Sequence, residues 1–217
     1  MNILFYDLGL TDYLKVLELQ RDLQKRVIED NSDKGYFLLT EHEPVITMGL
    51  RAKREEIIEW GKIPVHKIER GGAVTLHAPG QMVGYFILHL KNVQGGLPFL
   101  VKTIENMMIN ILTQYNIKGV RKEKHPGVWV GENKIGSIGI SLKQWVTMHG
   151  FSFNVNVDLK LFQYIVPCGL TQRNLTSIAM ELERLMSGEE IKAIKDSLSY
   201  GFEEAFNTKL VKNNIVW

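Results

Sequence analysis

The spacing of apolar residues changes several times along this chain, and each change predicts an element. In NILFYDL (residues 2–8) the apolar residues crowd into a short run that reads as an opening strand. The next stretch, TDYLKVLELQRDLQKRVIED (11–30), sets Leu14, Leu17, Val27 and Ile28 on one helical stripe, with Thr11 placed to cap it. Five short strand-like segments follow: GYFLLTEH (35–42), PVITMG (44–49), PVHKIE (64–69), AVTLHA (73–78) and MVGYFILHL (82–90). A second helix begins near Pro98, a favourable first-turn residue, and runs through LVKTIENMMINILTQY (100–115). GVWVGENKIGSIGISLK (127–143) reads as a hairpin turning at Gly131 to Asn133, and VTMHGFSFNVNV (146–157) as a further strand. A last helix opens at Ser187 with Glu190 three residues on, a capping-box pattern, and runs to about Phe206. Strands in runs, with helices at the start, middle and end, predict an α/β (α+β) fold: a mixed β-sheet flanked by helices.

Composition narrows the class. A chain of 217 residues, 45% hydrophobic, is long enough for a full core and sits near the upper size of one domain, so residues 1–217 are expected to form a single domain. One cysteine forbids an intrachain disulfide, and the start MNILFYDLGL lacks the basic region and small-residue cleavage site of a signal peptide, which fits a reducing cytoplasm. The most apolar stretch, residues 82–90, is far short of the ~20 residues of a membrane span, so no membrane partner is expected. A formal net charge of +2 is too mild for a nucleic-acid binder. Two small basic groups, RAKR (51–54) and RKEKH (121–125), can meet an acidic protein or simply be solvated loops.

Common nucleotide and metal motifs are missing: there is no phosphate loop, no G-x-G-x-x-G and no H-E-x-x-H. The six histidines, at 42, 66, 77, 89, 125 and 149, are scattered, with no i, i+4 pair to converge on a metal, and no cofactor is expected. The densest run of special residues is ERGGAVTLHAPGQMVGY (69–85). It reads as a hairpin turning at Gly71–Gly72, with a second turn at Pro79–Gly80. A hairpin requires neither the arginine before the glycines nor the histidine in the next strand, and two turns so close together also leave N–H groups exposed where a polar ligand group could dock. Cys168, between Pro167 and Gly169, is either a small buried hydrophobe or a side chain presented outward by a punctuated turn, as a nucleophile must be.

Five ordered blocks then resemble one family. EHEPVITMG (41–49), RGGAVTLHAPGQMVGY (70–85), GVWVGENKIGSIGI (127–140), HGFSFNVN (149–156) and IVPCGL (165–170) are similar to the motifs of the octanoyltransferases of protein lipoylation. Ala78 departs from the family's usual glycine and Gly136 from a common alanine, both small-for-small changes. The resemblance implies the fold of the catalytic domains of biotin and lipoate protein ligases. It also implies transfer of an octanoyl group from acyl carrier protein, through a cysteine thioester, to a lysine. The acceptors would be lipoyl domains of 2-oxoacid dehydrogenase complexes and glycine-cleavage H protein. Carried over position by position, the acyl-thioester cysteine falls on Cys168 and its partner lysine on Lys134. The substrate contacts fall on Arg70, Gly71, Gly72, Ala73, Val74, Thr75, Leu76 and His77, on Ser137, Ile138 and Gly139, and on Gly150, Phe151 and Ser152, with His149 adjoining.

Elementary chemistry agrees with that pairing. A free thiol with a pKa of about 8.5 is only a few per cent thiolate at neutral pH. A cation ~4 Å away at an effective dielectric near 20 is worth up to about 4 kcal/mol, or roughly three pKa units. Alternate side chains of AVTL (73–76) and SIG (137–139) would line a slot for the acyl chain. A thioester donor makes ATP unnecessary. Two other readings remain open: an ATP-dependent lipoate-protein ligase of the same fold, and a non-catalytic domain that binds lipoyl domains or acyl carrier protein.

Overall fold

The computed structural model describes residues 2–30, 33–123, 125–166 and 174–213; Cys168 lies outside the described residues. Strand β1 (Asn2–Thr11) leads into helix α1 (Tyr13–Asp30), then β2 (Lys34–His42), β3 (Val45–Met48), β4 (Val65–Lys67), β5 (Val74–His77) and β6 (Gln81–Ile87). Helix α2 (Gly96–Gln114) is followed by β7 (Gly119–Lys122), β8 (His125–Val130), β9 (Asn133–Lys143) and β10 (Val146–Asn154). Helices α3 (Ile178–Glu181) and α4 (Gly188–Phe206) precede β11 (Leu210–Lys212). Eight strands form one sheet in the order β11-β1-β2-β6-β10-β9-β8-β7, and three form a second in the order β4-β3-β5. The large sheet is mixed: β1 runs parallel to β11 and β2, and its other pairs are antiparallel.

Two faces of the large sheet bury two cores because side chains alternate along its strands. On β2, Phe37 and Leu39 join a core with α2 and α4, whereas Tyr36 and Leu38 face the other way, onto Val16, Leu23 and Val27 of α1. Phe37, Phe86 and Phe202 stack through the first core, with centroids 4.6 Å and 5.2 Å apart along the series. Burying each such ring is worth about 2–3 kcal/mol. A separate core under the small sheet collects Ile46, Met48, Val74, Leu76 and Ala78 with Ile57, Phe162, Ile165 and Leu175. The mixed, helix-flanked sheet expected from the sequence is therefore present, with the small second sheet as an addition.

Several expectations change in detail. Thr11 belongs to β1, and the cap of α1 is Asp12, whose Oδ1 accepts from the Lys15 N–H at 3.0 Å. The buried face of α1 includes Gln20 and Gln24, and Leu14 is exposed. Those glutamines are buried because each serves a backbone group of β10: Gln24 Nε2 donates to the Val146 carbonyl and Gln20 Oε1 accepts from His149 N–H. Gly71–Gly72 is not a hairpin turn, since β4 and β5 lie on opposite edges of β3. The Pro79–Gly80 turn carries the chain from the small sheet to the large one, and Gly80 adopts φ +84° with its N–H donating to Glu41 Oε2 at 2.7 Å. The turn at Gly131 joins β8 to β9 as expected. The capping box of α4 is complete, Ser187 accepting from the Glu190 N–H and Glu190 from the Ser187 N–H.

Candidate active site

A cleft opens where the small sheet meets the large one, enclosing about 810 Å³ of empty space that includes its solvent-open mouth. Strand register explains why distant sequence blocks converge on it. Along β9 and β10 the pairs are Ser137 with Ser152, Ile138 with Phe151 and Gly139 with Gly150, and all six line the cleft. Opposite them stands the loop Arg70–Gly72, followed by Thr75 and His77 on β5. Lys134 lies on the same wall as Ser137.

Val74 and Leu76 take the other face of β5 and belong to the core under the small sheet, and Ala73 is not part of the lining. Alternation along the strand makes this necessary: once Thr75 and His77 face the cleft, their neighbours cannot. Sequence reasoning missed Tyr13, Gln81, Val83, Tyr85, Asn154, Phe162 and Leu175, which also line the cleft. Gln81 and Tyr85 sat within a quoted motif; Tyr13 arrives from α1 and Leu175 from beyond Cys168, for which only tertiary structure gives a signal.

Arg70 shapes the loop. Its buried guanidinium donates through Nη2 to the Thr47 carbonyl at 2.8 Å and to Thr47 Oγ1 at 2.9 Å, and through Nη1 to the Gly71 carbonyl at 3.0 Å. Gly71 N–H donates across the seam to the Ile140 carbonyl at 3.3 Å, and Gly72 sits at φ +95°. The arginine therefore serves the backbone of this loop, and Gly71, Gly72 and Thr75 line the cleft beside it.

Four of the six histidines that look scattered in sequence, His42, His66, His77 and His149, gather around Tyr13 and Tyr85. The Tyr13 ring stacks near both His66 and His77, at an interplanar angle of 9° to each. His42 Nδ1 is 3.1 Å from the Thr11 carbonyl, which only accepts, so Nδ1 donates; Nε2, 2.7 Å from the Tyr85 hydroxyl, accepts. Burial pushes His42 and His149 down to about 4 and His77 down to about 3, so all three are neutral near pH 7. Burial likewise raises Tyr13 and Tyr85 above the usual phenol range. His149 is held at φ +65° inside β10, and its buried Nε2 has no hydrogen-bond partner among the described residues. Among the described residues, no group of three or more His, Cys, Asp or Glu side chains is placed to hold a metal.

Lys134 pairs in register with Trp129, and its Nζ sits 5.3 Å from that ring's centroid. Its carbonyl accepts from the Thr176 N–H at 3.1 Å, and Leu175 bridges to it. On the other side of the segment containing Cys168, Val166 N–H donates to the Glu56 carbonyl at 2.7 Å and Ile165 bridges to Ile57. The second basic group is engaged internally: Arg121 pairs with Glu105 at 2.7 Å, and Lys122 with Glu132 at 2.7 Å. Arg51, Lys53 and Arg54 of the first group are exposed.

Two glycines of these strands should respond differently to a methyl group. A Cβ at Gly150 would overlap the Gly84 carbonyl of the neighbouring strand, whereas at Gly136 it would meet the thioether of Met108, the far end of a flexible side chain. Gly150→Ala is therefore expected to cost about 3 kcal/mol and Gly136→Ala under about 1 kcal/mol, read from denaturant midpoints. Equal losses would show that β10 can move off β6.

Comparison with known proteins agrees with the geometry. Residues 12–199 match the family model described as the lipoyl protein ligase A/B catalytic domain. The chain is 37% identical over 213 residues to an octanoyltransferase of Nostoc punctiforme, covering 97% of this chain and 91% of that protein. To an octanoyltransferase of Caldanaerobacter subterraneus subsp. tengcongensis it is 38% identical over 208 residues, covering 93% and 89%. In fold it is similar to a lipoate-protein ligase A solved with ATP, with a TM-score of 0.75 at 14% identity over 100% of this chain and 90% of that one. With identity and coverage of this extent, the chain belongs to the lipoyl protein ligase A/B catalytic domain family and, within it, to the octanoyltransferases.

Proposed function

We propose that this octanoyltransferase takes its acyl group from octanoyl-acyl carrier protein, holds it as a thioester on Cys168, and passes it to a lysine of lipoyl domains or glycine-cleavage H protein. The observation that carries this reading is that Lys134 lines the cleft and is bonded to the backbone flanking the Cys168 segment. Each half-reaction balances without a further reagent. In the first, the Cys168 sulfur attacks the donor carbonyl, the C–S bond to the carrier breaks, and the carrier leaves as a thiol with the proton Cys168 gave up. In the second, the acceptor amine attacks, the bond to Cys168 breaks, an amide forms, and the surplus amine proton returns to the cysteine. N–H groups near Gly72 and Cys168 are the candidates to hold the oxyanion of each step. The exposed Arg51, Lys53 and Arg54 support an acidic donor, although Glu55, Glu56 and Glu59 follow directly.

Intact mass after mixing with octanoyl-acyl carrier protein alone tests the reading. One octanoyl group should appear on the wild type and none on Cys168→Ala, because without an amine the reaction stops at the acyl-enzyme. An adduct persisting on Cys168→Ala would sink the assignment. Acylation of acceptor that needs ATP and free octanoate would point to a ligase instead.

A further inference from the structure

Beneath the cleft, a chain of hydrogen bonds runs in one direction only. It ends at the Thr176 carbonyl, which can only accept, so Asn154, at 2.9 Å, presents its Nδ2 and donates. Asn154 Oδ1 then faces Gln81 and accepts from Gln81 Nε2 at 2.9 Å. That leaves Gln81 Oε1 toward His77, 2.7 Å from Nδ1, and an amide oxygen can only accept. The proton of neutral His77 must therefore sit on Nδ1, leaving a lone pair on Nε2. Free imidazole side chains favour the opposite tautomer, so the preference is imposed by the partners. His77, Gln81, Asn154 and Thr176 are all at least nine-tenths buried, so water does not compete for these bonds.

We propose that Gln81 and Asn154 are positioning residues that lock His77 as the Nδ1–H tautomer, so that its Nε2 lone pair accepts a hydrogen bond from the acceptor amine in the cleft. The amine-accepting part of this inference rests on the proposed transfer to lysine. His77 lines the cleft with its Nδ1 edge taken by Gln81, which leaves the Nε2 edge for a ligand. A group with its pKa pushed down to about 3 by burial is too weak a base to keep a proton, so it orients the amine and leaves proton removal to another residue. The far end of the relay is equally placed: Thr176, which receives the Asn154 donation, itself donates to the Lys134 carbonyl. One line of bonds thus joins His77 to the strand position of Lys134.

The test reads the tautomer directly, through long-range proton–nitrogen NMR of protein carrying ¹⁵N-histidine, with the His77 signals assigned by their loss in His77→Asn. The wild type should show a protonated Nδ1 and a bare Nε2. Gln81→Met, close in volume but without the amide, should turn His77 to the Nε2–H form. Its single-turnover transfer to the acceptor should slow about tenfold, the worth of one hydrogen bond, with Cys168 acylation changed far less. Asn154→Asp still accepts from Gln81 but cannot donate to Thr176, so it should keep the Nδ1–H pattern while slowing transfer. A wild-type Nε2–H pattern, or one unchanged in Gln81→Met, overturns the proposal. If Gln81→Met fails to fold, the wild-type spectrum and Asn154→Asp decide. An Nδ1–H pattern in a protein that never acylates Cys168 would reject the thioester route and leave the relay standing.

Discussion

The free energy of unfolding should fall by about 4 kcal/mol for each pH unit as the solution is acidified from pH 6 toward pH 4.5, a slope of about three protons. His42, His77 and His149 titrate near 4, 3 and 4 when folded, pushed down first by burial, against 6.5 in the unfolded chain. Above 6.5 neither state binds these protons and the penalty is absent. Below it the unfolded chain takes up three protons that the folded chain refuses, so the penalty grows until the folded values are reached. At pH 5 each histidine costs about 2 kcal/mol and the three together about 6, against the ~5–15 kcal/mol that a whole domain offers. Glu69, held below its ordinary value by its hydrogen bond with Arg21 against the opposing effect of burial, loses further stability as it protonates. Urea titrations at half-unit intervals should show unfolding setting in between pH 4 and 5. A slope below one proton would mean that these imidazoles are not buried together.

Lys134→Arg should separate the two half-reactions. On the proposed thioester route a Cys168 thiolate would favour a charged partner, and arginine would supply that charge and stack on Trp129 as the lysine does. On that route, once the thiolate is consumed an ammonium at 134 would lose its counter-charge and could give up its proton; a guanidinium could not. The acceptor lysine arrives mostly as ammonium and has to be deprotonated before it attacks. Acylation by Lys134→Arg should thus stay within about tenfold of wild type, while transfer drops by about 10²–10⁴, the usual contribution of a general base. Lys134→Met should slow both. Rapid-quench single turnovers measure the two steps separately. Equal losses in Lys134→Arg would reduce the residue to an electrostatic partner, and no loss would remove it from the site.

Much of this architecture was legible where a local rule and the tertiary structure agree. The Ser187–Glu190 capping box, the Gly131 turn and the alternation of β2 each follow from a few adjacent residues. Where reading stopped, the deciding contact lay far along the chain. Gln20 and Gln24 look like surface residues until β10 offers them backbone partners more than a hundred residues away. Gly71–Gly72 resembles a hairpin turn because nothing local says that β3 will sit between the flanking strands. The quoted blocks located most of the cleft, yet assigned Val74 and Leu76 to it, because a motif records which residues recur and not which face of the strand they occupy. Asn154 falls inside the block 149–156 but was given no role, since that role depends on a glutamine and a carbonyl that it meets only in the folded protein.

The bond from Thr176 N–H to the Lys134 carbonyl also sets a local concentration. Cys168 precedes Thr176 by eight residues, so the thiol is tethered to the lysine's own strand by a short length of chain. Eight residues reach at most about 28 Å along any path, so the thiol is confined to a small volume around the Thr176 backbone by chain length alone. A thioester route through Cys168 would therefore meet Lys134 as an intramolecular encounter, at an effective concentration that chain length sets rather than the concentration of the protein.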